Sequence, residues 1–279
     1  MRFRHFLFFV LLCTLPCFSF ANGKKLTKIV LDAGHGGKDV GARGQFSQEK
    51  NLTLAIVMRL GKILNDSMKN VQVIYTRTSD VYPTLPERHE IANRAGADLF
   101  VSVHINSSPD RIERVFAGYK TVKKGKHKKK EPVYRIIRHH ETSTNGTMTL
   151  VLGAIRNEQK SQAIGEYGDS ILEEPGLLNE NDPQTAIIIA QYTQAYLGRS
   201  VTLATRVQEQ FSAQGRTDLG VKQQSLEVLA GSAMPGVLVE CGFINNPEEE
   251  AYLNSEEGQT QVAMAIYRGI KNYRFDTEK

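Results

Sequence analysis

Cysteine is scarce in this chain and gathered at one end. Of the three cysteines in 279 residues, Cys13 and Cys17 fall in a leader-like stretch. Cys241 is then the only one expected in the mature protein. A single thiol cannot close an intrachain disulfide, so stability must come from a core, which this length is able to supply. Long apolar runs are also missing after residue 21, and the mature protein is expected to be soluble, with no stable membrane insertion. The GHGG stretch at 34–37 lacks the Lys-Ser/Thr end of a phosphate loop. Nucleotide binding is therefore unsupported, and no nucleic-acid partner is expected. No serine or cysteine nucleophile stands out, because Cys241 lies inside an apolar run with no histidine near it in sequence. There is no internal repeat, and one domain over 22–279 is expected.

Residues 1–21, MRFRHFLFFVLLCTLPCFSFA, read as a secretory signal. Arg2 and Arg4 precede the apolar Phe6–Leu12 core, and Ser19-Phe20-Ala21 fits a small-x-small cleavage site. The apolar run is too short and interrupted for a membrane span. Cys17 follows Leu15-Pro16, a poor context for lipid attachment. Cleavage would place the start near Asn22 and lower the formal charge from +5 to +3. That excess is concentrated in one place: seven lysines lie between Lys120 and Lys130.

What is present is organised around Lys28–Gly44, KIVLDAGHGGKDVGARG. Ile29, Val30 and Leu31 form a short aliphatic run that glycines then break, so a buried strand should end in a tight loop carrying His35. Leu52, Ile56, Leu60 and Leu64 recur at four-residue steps and predict a helix over 46–64, with Ser47 as its N-cap and Glu49 in its first turn. A second strand is expected at 71–75, a helix at 87–95, and a strand over 98–104 that ends in His104. Strands alternating with helices suggest parallel pairing, which would put His35 and His104 at one edge of the sheet, where such sheets bind ligands.

Residues 109–146 read as a Lys-rich insertion. Its lysines form either a solvated hairpin tip or flexible loop, or a patch for anionic polymer. A strand is expected at 147–153. Residues 154–188 read as a mobile or partly helical insertion, carboxylate-rich and broken by Pro175 and Pro183. A long helix follows over 187–214, then a buried strand over 236–242 and a closing helix near 257–273. The 236–242 run contains Glu240 between Val239 and Cys241, where a charge is costly unless it is paired, metal-bound or functional. The fold class implied is α/β: a mixed, mostly parallel twisted sheet flanked by helices on both faces.

His35, Glu49, His104 and Glu240 thus come from four segments that this topology gathers at one edge. Two histidines and a carboxylate suit a catalytic zinc site with its fourth position open. A remaining carboxylate is placed for proton transfer.

At these residues the chain resembles the zinc-dependent N-acetylmuramoyl-L-alanine amidases that cut peptidoglycan. The matching stretches are IVLDAGHGGKDVGA at 29–42, Glu49, TRTSD at 76–80, LPERHEIANRAGADLFVSVHIN at 85–106 and VLVECGFINNPEEEAYL at 237–253. The resemblance implies Zn2+ held by His35, Glu49 and His104, with Glu240 as the catalytic carboxylate. It implies hydrolysis of the amide joining N-acetylmuramic acid to L-alanine of the stem peptide, and secretion across the inner membrane into the periplasm. Some members carry a regulatory helix over the zinc in the region of 154–188. Glu166, Glu173 and Glu174 are the candidate blocking residues, and an activator protein is the partner that would lift the block. The rival readings are another envelope zinc hydrolase, a peptidase or sugar deacetylase, and a non-catalytic wall-binding protein.

Overall fold

The computed structural model describes residues 25–124, 127–171, 178, 182 and 184–278. The expected signal at 1–21 and the candidates Glu173 and Glu174 lie outside the described residues. Six strands form one sheet: β1 (Lys28–Ala33), β2 (Gln72–Tyr75), β3 (Leu99–Asn106), β6 (Thr147–Leu152), β7 (Asp218–Gln224) and β8 (Gly236–Phe243). Their spatial order is β2-β1-β3-β8-β6-β7. The β2-β1-β3-β8 block is parallel throughout, β6 runs antiparallel to β8, and β7 runs parallel to β6. The ends of β1, β3 and β8 therefore open on the same edge. β1 and β3 read as continuous apolar runs because both faces of the sheet are covered.

One face packs α1 (Glu49–Ser67), the C-terminal part of α4 (Thr185–Ala213) and α7 (Glu256–Thr277). The α1 residues Leu52, Ile56, Leu60 and Leu64 bury there beside Val262, Ile266 and Ile270 of α7, and α7 in turn packs on α4, which brings Leu203, Val207 and Phe211 into the same core. The other face packs α2 (Leu85–Arg94), α3 (Asn157–Ile171) and the short α5 (Glu227–Ala230), with Ala92, Ile164, Tyr196 and Leu229 around Phe100. The partly helical reading of 154–188 holds, and α3 is part of the body. It buries Ala163, Ile164 and Lys160. The Lys160 ammonium donates to the Met234 carbonyl at 2.5 Å and to Ser232 Oγ at 3.1 Å. Burial pulls its pKa down to about 7.

One expectation needs correction, and the alternatives for the Lys-rich segment are decided. Ser47 does not cap α1: the cap position is Gln48, with no side-chain hydrogen bond. The Ser47 hydroxyl instead donates to Glu250 Oε1 at 2.6 Å. The Lys-rich segment is a long two-stranded ribbon, β4 (Arg111–Lys124) paired antiparallel with β5 (His127–His139). The lysines do crowd its turn end, as the hairpin-tip reading requires. A further helix, α6 (Pro247–Asn254), is set by Asn246, whose side chain accepts from the Glu248 and Glu249 amides.

Candidate active site

His35 sits two residues past β1 in a backbone conformation with φ 60°, the only non-glycine with positive φ among the described residues. That conformation is uncommon for a side chain with a Cβ, and histidine is among the residues enriched there. Its neighbours hold it in place. Arg88 donates to the His35 carbonyl at 2.7 Å and to the Ala33 carbonyl at 2.7 Å. Arg77 donates to the carbonyls of Ala33 at 2.9 Å and Gly34 at 2.8 Å. The Arg88 charge is met by buried Asp32 at 2.7 Å, which also accepts from Thr76 and Ser102 hydroxyls. Sequence reasoning quoted these residues within its motifs without seeing this brace, since the pairs lie 43 to 70 positions apart.

Glycine is required at two places. A Cβ at Gly34 would enter the His104 ring, and a Cβ at Gly41 would collide with Glu49 Oε2 and the His35 ring. Gly41 also has φ 66°. Both positions let backbone approach the functional side chains closely.

The four residues expected to converge do so. His35 Nε2 lies 3.0 Å from Glu49 Oε2, and His104 Nδ1 lies 2.9 Å from Glu49 Oε1. The two imidazoles meet edge to face, with centroids 4.9 Å apart. One donor atom from each of His35, Glu49 and His104 falls within 4.8 Å of the others. Glu49 is oriented by the Ala42 and Ile105 amides, which donate to it at 2.8 and 3.0 Å. It is buried, not the solvated helix-end carboxylate that its position alone suggests. Asp39, which the sequence reading missed, holds His35 Nδ1 at 2.8 Å. A carboxylate behind a histidine nitrogen fixes the tautomer and leaves the other nitrogen for a ligand. Its spacing of four residues from His35 inside a Gly-rich loop was the available signal.

Burial works against charge at His35, but hydrogen bonds and charges from Glu49 and Asp39 outweigh it and raise its pKa to about 9. Burial likewise opposes charge at Glu49, and the two histidines still hold its carboxyl well below the usual range. Two imidazoles around one carboxylate, with His35 backed by Asp39 and Glu49 by two backbone amides, form a donor set that suits a divalent cation.

Glu240 stands across from His104 in the β3–β8 register. Its Oε2 is shut off from solvent and has no hydrogen-bond partner among the described residues. Burial pushes its pKa up to about 7, although His104 pulls the other way. Cys241 beside it is buried and its thiol is pushed far up by burial, so it supplies no thiolate. Glu166 is not in this cluster. It lines a cleft with His89, Glu90 and Tyr167 between α2 and α3.

The family model for N-acetylmuramoyl-L-alanine amidase, Amidase_3, matches residues 29–272. The chain belongs to the Amidase_3 family. A probable amidase AmiB of Haemophilus influenzae is 30% identical over 277 residues, covering 95% of this chain and 55% of that protein. AmiA of Escherichia coli is 27% identical over 266 residues, covering 93% of this chain and 80% of that one. The crystal structure of an N-acetylmuramoyl-L-alanine amidase from Clostridium difficile 630 is 26% identical with TM-score 0.59, covering 92% of this chain and all of that one. The enzyme class follows: this amidase is a peptidoglycan hydrolase acting on the N-acetylmuramoyl-L-alanine bond, and its fold is the mixed α/β fold expected. The His35–Glu49–His104 group is a site at which this metal-dependent class can hold its ion. No helix among the described residues is long and apolar enough to cross a membrane.

Proposed function

We propose that this amidase is a zinc enzyme in which His35, Glu49 and His104 hold the ion and Glu240 carries the proton. The observation that carries the reading is the partnerless Glu240 Oε2 beside a three-donor cluster. When bound, zinc supplies Lewis acidity at the scissile carbonyl and lowers the pKa of water. Glu240 does the proton transfer. As a carboxylate, its Oε2 takes a proton from the attacking water. As an acid, it returns that proton to the L-alanine nitrogen while the amide C–N bond breaks. A carboxyl with pKa about 7 has both forms available near neutral pH, which suits a group that must act twice. Asp39 keeps His35 in the ligand-ready tautomer.

The same proposal places the enzyme in the periplasm, in wall remodelling or daughter-cell separation. It is tested by digesting purified sacculi with and without chelator and analysing the products. Intact stem peptides with a free L-alanine amine are expected, lost on chelation and restored by zinc. Cleavage within the stem peptide, or release of acetate, would point to a peptidase or deacetylase instead. Restraint by 154–188, relieved by an activator protein, belongs to this proposal too. Deleting from 156 onward would open the core at Lys160, Ala163 and Ile164. The usable test is Glu173→Ala with Glu174→Ala, which should raise basal activity. Unchanged basal activity would remove those two as blocking residues.

A further inference from the structure

The β4–β5 ribbon is absorbed by neither the fold nor the chemistry. Residues directly opposed on an antiparallel pair share a face, and so do residues two apart. Phe116 pairs with Tyr134, Arg114 with Ile136 and Ile112 with Arg138. One face of the ribbon therefore carries Ile112, Arg114, Phe116, Tyr134, Ile136 and Arg138. A bulge after Phe116 brings Tyr119 onto the same patch, with its ring 5.2 Å from Phe116, while the Tyr134 ring lies 6.0 Å from Phe116. These rings are uncovered: Phe116 is 52% exposed, Tyr134 51% and Tyr119 67%. Clustered exposed aromatics of this kind mark a binding surface.

Charge gives the ligand its sign. From Arg111 to His139 the chain holds eleven lysines and arginines against Glu113 and Glu131, a balance of +9 where the whole chain has +5. The rest of the chain is thus net acidic, and the ribbon carries the concentrated positive charge.

The base of the ribbon ties it to the active site. Asn245 Nδ2 donates to the carbonyls of Ser108 at 2.9 Å and His140 at 2.7 Å. His140 Nε2 donates to the Arg43 carbonyl at 2.7 Å. Ser108 follows the strand of His104, Asn245 follows the strand of Glu240, and Arg43 lies in the loop between His35 and Glu49. The chain leaving His104, the chain leaving Glu240 and the loop that joins His35 to Glu49 thus all meet the ribbon's root.

We propose that the Phe116–Tyr119–Tyr134 face is a substrate arm that binds the peptidoglycan strand flanking the scissile bond. Sugar rings stack on the aromatics, and stem-peptide carboxylates meet Arg114, Arg138 and the lysines. This rests on the amidase reading above. The layout argues against a lipid surface as the ligand. A ribbon that inserts in a bilayer needs its apolar residues at the tip, whereas here lysines lead into the turn, Phe116 and Tyr134 lie on the half nearer the site and Tyr119 lies near the middle.

The test is sedimentation with purified sacculi, using a Glu240→Gln background so that the polymer survives, with and without Phe116→Ala plus Tyr134→Ala. About tenfold weaker binding is expected. In the otherwise unmodified enzyme the double variant should raise KM on sacculi about tenfold while leaving kcat and hydrolysis of a small soluble muropeptide unchanged. The unchanged small-substrate rate also certifies the fold, and Tyr119→Ala serves as an independent second variant. Equal sacculus binding with and without the rings would overturn the proposal. So would a loss confined to vesicles of phosphatidylglycerol and phosphatidylethanolamine, which would make the face a lipid surface. If the enzyme released no stem peptide yet its sacculus binding still depended on the rings, the amidase reading would fail and the arm would stand.

Discussion

Glu240→Gln separates two quantities that usually move together. The substitution keeps size and removes the charge. If Glu240 is the acid/base group, turnover on sacculi should fall by roughly 10²–10⁴-fold with zinc retained, the usual range for such assistance. Stability should move the other way. A pKa of about 7 against an ordinary 4.5 means that the folded protein binds more protons than the unfolded one between those values. The native state is favoured at pH below 4.5, and that advantage is lost as pH rises through 7. Two to three pKa units at 1.36 kcal/mol each set the penalty at about 3 kcal/mol above pH 7. Glutamine removes it, so the variant should melt about 6–12 °C higher at pH 8. Near pH 4.5 the two proteins should melt together. Both melts belong in chelator, so that a bound ion does not offset the carboxylate. A variant that is inactive and no more stable at pH 8 would refute the burial argument. One that is more stable and fully active would remove Glu240 from the mechanism.

Three further outcomes follow from the same geometry. His104→Ala should lose zinc and activity together, because two protein ligands seldom hold the ion; full occupancy by elemental analysis would sink the ligand assignment. Asp39→Asn should keep the fold but weaken zinc about 10–100-fold, as loss of an outer partner does, read by competition with a chromophoric chelator. Lys160→Met tests the buried ammonium: with a folded pKa near 7 and an ordinary value of 10.5, the unfolded chain binds more protons between them. Wild type should therefore gain stability relative to the variant from pH 7 to pH 10 in urea melts, and a flat difference would mean that Lys160 stays charged.

Much of the site was legible because parallel strands advertise themselves. β1, β3 and β8 are short apolar runs bounded by glycines or polar loops, and the chemistry sits at or just beyond their ends. What escaped was mostly long-range and polar. The Asp32–Arg88 pair, the Arg77 contacts and the Glu250 grip on the 45–47 amides join segments far apart in sequence, and no local period announces them. Ser47 misled because a serine before a helix reads as a cap, while Glu250 claims its hydroxyl. The ribbon was half legible: lysines dominated its composition and hid the alternation of Ile112, Arg114 and Phe116. α6 carried a readable signature, Asn246 followed by Pro247, inside a stretch noticed only for its resemblance.

The polar residues around the site also show which of its carboxylates is different. Asp32 is answered by Arg88 and two hydroxyls, and Glu49 by two amides and two histidines. Glu249 takes Arg216 and the amides of Gly146 and Phe243. Glu250 takes three amides and the Ser47 hydroxyl. A sheet edge built for a polar site leaves carbonyls and amides without strand partners, and these side chains satisfy them. Among these carboxylates of the site, Glu240 differs in having a buried oxygen with no partner among the described residues. Leaving it unpaired costs stability that a hydrogen-bond donor would recover. In the proposed mechanism, a carboxylate kept unpaired at that expense is free to accept a proton from water and to give it up again, which a fully hydrogen-bonded one is not.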